Sequence, residues 1–148
     1  MDNFETKEDF DEFLKSHYNT SLSVRGENIW NVDIEGDANS YRITVSWEDE
    51  NIYLSIKNYG LSPRNPKCAL RLYEYLLHAN REMQWTFFSI DENLAPYLMI
   101  SIPSSGFSPE TVKRAVDYLV YYGDLNYFNI INLANDERAQ IIQEDDDY

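Results

Sequence analysis

A chain of 148 residues has the length of one domain with a single core. Its 43% apolar and 15% aromatic content excludes a disordered chain, and it holds no apolar run of the roughly 18 residues that a membrane-spanning helix needs. The net charge of −14 sits mostly at the ends: residues 1–12 carry six acids against one lysine and residues 136–148 six acids against one arginine, which leaves −4 for residues 13–135. No basic surface is available to release counterions from a phosphate backbone, so nucleic acid is not an expected partner, and neither is a membrane. The start "MDNFETKEDFDEF" lacks the basic stretch and apolar run of a secretory signal, and the lone Cys68 has no disulfide partner in the chain. Both predict a cytoplasmic protein.

Residues 4–18 predict an amphipathic helix, with Phe10, Phe13, Leu14 and Tyr18 on one face and Glu8, Asp9, Asp11, Glu12 and Lys15 on the other. "HYNTSLSVRGEN" breaks the pattern. Three strands follow in "IWNVDIE", "YRITVSW" and "NIYLSIK", each alternating apolar and polar residues. Period two with one apolar face predicts an antiparallel meander, packed on one side and wet on the other. The connections "GDANS" and "EDE" have hairpin length.

"NYGLSPRNP" predicts a loop that ends in Asn65 as a helix cap, with Pro66 at the first helical position. In the helix from Pro66 to about Arg81, apolar residues Cys68, Ala69, Leu70, Leu72, Tyr73, Leu76, Leu77 and Ala79 fill an arc of roughly 200°. A helix covering one sheet needs only about 100°, so the surplus must pack on another element of the chain or on a second subunit. Arg71, Glu74, Tyr75, His78, Arg81 and Glu82 take the polar side.

"QWTFFSI" and "YLMISIP" predict a two-strand hairpin across the turn "DENLAP". Ser108 before Pro109 and Glu110 starts a helix with Val112, Ala115, Val116, Leu119 and Val120 inward, which Gly123 is expected to end. Asp124 would then cap a last short helix, and the acidic tail 136–148 is expected to be disordered. The fold class is therefore α+β, an antiparallel sheet of a three-strand meander plus a two-strand hairpin with helices packed on it. The order is α-βββ-α-ββ-α(α), in one domain over residues 1–148.

Signals for chemistry are sparse. His17, Cys68 and His78 lie on three separate stretches, with no C-x-x-C or H-x-x-x-H spacing for a metal. His78 falls on the polar side of its helix, and the nearby Asn80 reads as a helix end rather than a catalytic group. The acidic run Asp33, Glu35, Asp37 and Asn39 begins inside a strand, and its Gly36 does not match a calcium loop. No nucleophile elbow and no phosphate-binding glycine loop is present. Neither an enzyme, a cofactor nor a metal is expected. What stands out is aromatic: Tyr118, Tyr121, Tyr122 and Tyr127, with Phe128, crowd the last helices. Tyrosine is enriched at protein interfaces, so these four are a candidate partner surface, the other reading being rings along a helix–sheet boundary.

"ALRLYEYLLHANREMQWTFFSIDENLAPYLMISIP" followed by "FSPETVKRAVDYLVYYGD" resembles the YbjN-like family and, more distantly, the Tir-chaperone (CesT) type III secretion chaperones. The features carrying the resemblance are the leucine-rich helix through Leu76, Leu77 and Asn80, the aromatic strand through Phe87 and Phe88, the strand Leu98 to Pro103, and the helix that runs to Asp124. The resemblance covers roughly residues 25–128 and rests on packing and turn signals, without catalytic residues. It implies helices against a twisted antiparallel sheet and a homodimer with the second helix at its interface. On that basis Cys68, Ala69, Leu72, Leu76 and Ala79 are the expected interface residues. The expected function is a non-catalytic, homodimeric, chaperone-like adaptor or regulator that binds a further protein. The alternative is an acidic inhibitor or immunity-type protein that covers a basic surface. The chain departs from the secretion chaperones in the length that follows the last matched helix, residues 124–148.

Overall fold

The structure, a computed structural model, describes residues 3–23 and 26–143. Helix α1 (Lys7–His17) leads into strands β1 (Asn19–Leu22), β2 (Ile29–Glu35), β3 (Ser40–Glu48) and β4 (Asn51–Ile56). Helix α2 (Pro66–Glu82), strands β5 (Phe87–Ile90) and β6 (Pro96–Pro103), a single 3-10 turn (Ser104–Gly106) and helix α3 (Pro109–Asn135) complete the chain. The strands form one antiparallel sheet in the order β1-β2-β3-β4-β6-β5. The class is α+β.

Register follows from burial. Trp30, Val45, Leu54 and Ile100 form one cross-strand row and Ile56, Leu98 and Phe88 another, all buried on the face that the helices cover. Slipping any of these strands by one residue would turn its apolar row to water. Phe10 and Leu14 of α1, Leu72 and Leu76 of α2, and Val112, Val116 and Leu119 of α3 enter the same core. The opposite face is open: Asp33 and Arg42 form a two-point ion pair there, at 2.8 and 3.0 Å. Side-chain caps start the helices as the sequence predicts for α2 and α3, where Asn65 accepts from the Cys68 N–H at 2.9 Å and Ser108 from the Thr111 N–H at 3.3 Å.

Two elements differ from expectation. β1 lies inside the stretch that breaks the first helix, pairing Asn19 with Asp33 and Leu22 with Trp30. Its residues are mostly exposed and polar, so no alternation announces it; the free edge of β2 supplies the template. The second difference is α3, one helix of 27 residues and thus about 40 Å long, which runs through Gly123 and Asp124 without a break. Gly123 is there for proximity rather than termination. The Tyr59 hydroxyl donates to its carbonyl at 2.6 Å, and the rings of Tyr41 and Tyr59 lie against it. Asp124 caps a different element: its carboxylate accepts from the Asp37 and Ala38 N–H groups and the Tyr41 hydroxyl at 2.8, 3.0 and 2.6 Å, closing the β2–β3 turn from outside.

Beyond α3, residues 136–143 fold back along the helices, and Ala139 is buried. The rest of the expected acidic tail, residues 144–148, lies outside the described residues.

Candidate protein-binding surface

The wide apolar arc of α2 is divided between two environments. Cys68, Leu72 and Leu76, spaced four apart, are buried in the chain's own core, so these three expected interface residues have no surface to offer another molecule. Ala69 and Ala79 are half-buried. The surplus appears on the outer side instead, where Leu70 is 70% and Leu77 72% exposed. These two lie seven residues apart, two turns of helix, with the half-buried Tyr73 close to the same stripe.

Two clasps hold this stripe beside the edge strand. The Tyr73 hydroxyl donates to the Leu94 carbonyl at 3.0 Å. The Asn80 amide, inside α2 and not at its end, bonds Phe88 twice, donating to its carbonyl at 3.1 Å and accepting from its N–H at 2.6 Å. Together they run α2 antiparallel along β5 and bracket Ile90 between them. Ile90 and Leu94 are both exposed, so Leu70, Leu77, Ile90 and Leu94 border one sheet edge. Leu94 has φ of 65°, a left-handed conformation that a branched side chain adopts rarely, within a turn where Asp91 accepts from the Asn93 and Ala95 N–H groups. The turn thus holds a leucine in water at a backbone position better suited to glycine.

The four tyrosines do not form one outward patch. Tyr122 is buried and accepts from the Gln84 N–H at 2.9 Å, while the Tyr118 hydroxyl donates to the Gln84 side chain at 3.2 Å. Both therefore brace the α2–β5 connection, where Trp85 packs edge-on to Tyr118 and donates to the Ser101 carbonyl at 3.0 Å. Tyr127 lies against Tyr59. Only Tyr121, 57% exposed, faces outward, joined by the exposed Phe128.

Tyr121 borders a groove of about 660 Å³ between α2 and α3, lined by Tyr75, Ala79, Met83, Leu125 and Ile141. Tyr75, which the sequence places on the polar side, is a groove wall. Burial raises its phenol above the ordinary value against the lowering effect of the Asn129 bond, so it stays protonated. It donates to Asn126 at 2.6 Å and accepts from Asn129 at 3.2 Å. Both asparagines are buried on α3, a signal visible in the sequence as amides at helical spacing within an apolar stretch. His78 stands exposed on the rim, 3.9 Å from Glu74. Among the described residues no group of three or more His, Cys, Asp or Glu is arranged to hold a metal, and no helix is long and apolar enough to cross a membrane.

No protein-family model and no curated protein matches the chain. Solved structures do. A chain of the heterodimeric ExoU–SpcU complex from the type III secretion system of Pseudomonas aeruginosa aligns over 84% of this chain and 96% of its own, with TM-score 0.56 and 13% identity. YbjN of E. coli, described as a putative transcription regulator, aligns over 84% and 93%, with TM-score 0.58 and 14% identity. A chain of the ExsC–ExsE complex aligns over 86% and 98%, with TM-score 0.59 and 14% identity. The architecture that the sequence resemblance implied is therefore the one the chain has: it shares the fold of YbjN and of the matched chains of the ExoU–SpcU and ExsC–ExsE complexes.

Proposed function

We propose that the chain is a non-catalytic, chaperone-like adaptor that pairs with a second copy of itself through the α2–β5 border and binds a further protein. The observation that carries this is the exposed apolar row Leu70, Leu77, Ile90 and Leu94 along a sheet edge. Contiguous exposed apolar surface beside an edge strand is what a protein partner covers. Two of the structural neighbours are chains of two-protein complexes, which supports protein binding as the task. The residues assigned to the interface are accordingly the outward Leu70 and Leu77, with the half-buried Ala69 at its margin, in place of Cys68, Leu72 and Leu76, while Ala79 lines the α2–α3 groove instead. The cytoplasm is the proposed setting, where a lone thiol stays reduced.

Light scattering of the purified chain tests the pairing, with Leu70→Glu and Leu77→Glu as probes. Both positions are exposed, so charge there should abolish association and leave the fold intact. A wild-type chain that remains monomeric at high concentration would overturn the proposal.

A further inference from the structure

Residues 136–143 sit on the upper end of the α2–α3 groove in a way that describes what the groove binds. Arg71 on α2 donates to the carbonyls of Glu137 and Ala139, and the Asn65 amide donates to the Glu137 carboxylate at 3.0 Å. Farther along, the Asn129 side chain pairs with Ile142 as a neighbouring strand would, accepting from its N–H at 2.6 Å and donating to its carbonyl at 2.8 Å. Asn129 is only 5% exposed and held by Tyr75, so its amide is fixed in advance for reading an extended backbone. Ile141 lines the groove, and Ile142 faces a second hollow beside Asp124 and Phe128.

The strap is weakly seated. Ile141 is 49% and Ile142 60% exposed, and below them the groove continues open past Leu125, Tyr121, Ala79 and Met83. The rim mixes Arg71 and His78 with Glu74 and Glu82, so charge does not select the occupant. Backbone pairing and aliphatic contact do.

We infer that the groove is a site for an extended peptide segment bearing two adjacent aliphatic residues, and that residues 139–143 occupy its upper end in cis as a displaceable strap. A partner segment takes the Asn129 clamp from Ile142 and extends into the open end. The inference rests on the protein-binding reading above and assigns the partner a surface separate from the α2–β5 border. A tethered strap competes at an effective concentration on the order of millimolar, so loosening it should strengthen trans binding by about tenfold or more.

The probe is a labelled synthetic peptide of residues 136–143, "DERAQIIQ", titrated into the full chain and into the full chain carrying Ile141→Asp and Ile142→Pro, which removes the N–H that Asn129 accepts. The loosened chain should bind at least about tenfold more tightly than wild type, and Asn129→Ala in that background should remove the gain. Hydrogen exchange on the unmodified chain needs no variant: saturating probe should accelerate exchange at the chain's own Ile142 amide. Equal binding to both chains, binding to neither, or an unchanged Ile142 amide overturns the inference. Leu77→Glu separates it from the dimer proposal, because that change should leave probe binding intact. If it abolishes binding, the peptide sits on the border and the strap inference fails alone.

Discussion

The Asn80 amide meets both backbone groups of Phe88, donating to the carbonyl at 3.1 Å and accepting from the N–H at 2.6 Å. β5 is the last strand of the sheet, so one side of it has no strand partner. A single side chain thereby fills a ladder position and ties α2 to the edge. Removing it leaves a part-buried N–H unpaired, which costs about 1–3 kcal/mol. Asn80→Ala should lower stability by that amount in urea titration and promote aggregation through the freed edge.

Gly123 and Gly36 should respond oppositely to a methyl group. At Gly123, inside α3, an added Cβ would lie 3.4 Å from Tyr41 and 3.5 Å from Tyr59, ordinary contact distances. Gly123→Ala should stabilise the chain by up to about 1 kcal/mol through helix propensity, whereas a helix-ending glycine would be harmed by it. At Gly36 a Cβ would come within 2.5 Å of both Asp124 and Tyr41, so Gly36→Ala should cost about 1–3 kcal/mol by forcing the turn open. Thermal unfolding of the two variants reads both signs.

Asp124 supplies a pH dependence. Burial raises its pKa, but the bonds from Tyr41, Ala38 and Asp37 outweigh burial and leave it below the ordinary carboxylate value. A carboxyl depressed in the folded state adds stability that is complete above its unfolded pKa and disappears as pH falls through the folded one. Asp124→Asn should therefore be less stable than wild type near neutrality, with the gap closing below about pH 4. Denaturation midpoints across an acid series check this; a gap that persists at low pH would count against it.

Leu94 should show stability and association moving apart. Relieving its left-handed backbone with Leu94→Gly should raise stability by roughly 1 kcal/mol while weakening self-association, since an apolar side chain leaves the border. Paired thermal and light-scattering measurements separate the two effects.

Strands β2 to β4 were legible because each alternates apolar and polar residues on a half-covered sheet, and the starts of α2 and α3 because Asn65–Pro66 and Ser108–Pro109 are local capping signals. β1 was not, because its pairing comes from β2 rather than from its own mostly exposed residues. Gly123 misled as a terminator because its tyrosine neighbours are supplied by distant parts of the chain. The apolar arc of α2 is wider than the part that the sheet covers, since Leu70 and Leu77 remain exposed. Which leucines face outward, however, depends on where the sheet lies, and so the expected interface residues Leu72 and Leu76 are buried while Leu70 and Leu77 are exposed. Asn80 escaped because an asparagine pairing a remote backbone leaves no periodic trace, and the spacing that marks Asn129 as an amide within an apolar stretch does not reveal its partner Ile142.

Sedimentation velocity on three versions of the chain tests pairing through the α2–β5 border. The wild type should run at twice the chain mass of 17.5 kDa, and Leu77→Glu at the single mass with an unchanged melting curve. Leu72→Ala, which empties a core position, should lose about 2–5 kcal/mol of stability. A wild-type chain at the single mass, or a Leu77→Glu chain that still pairs, would contradict the α2–β5 border as the interface.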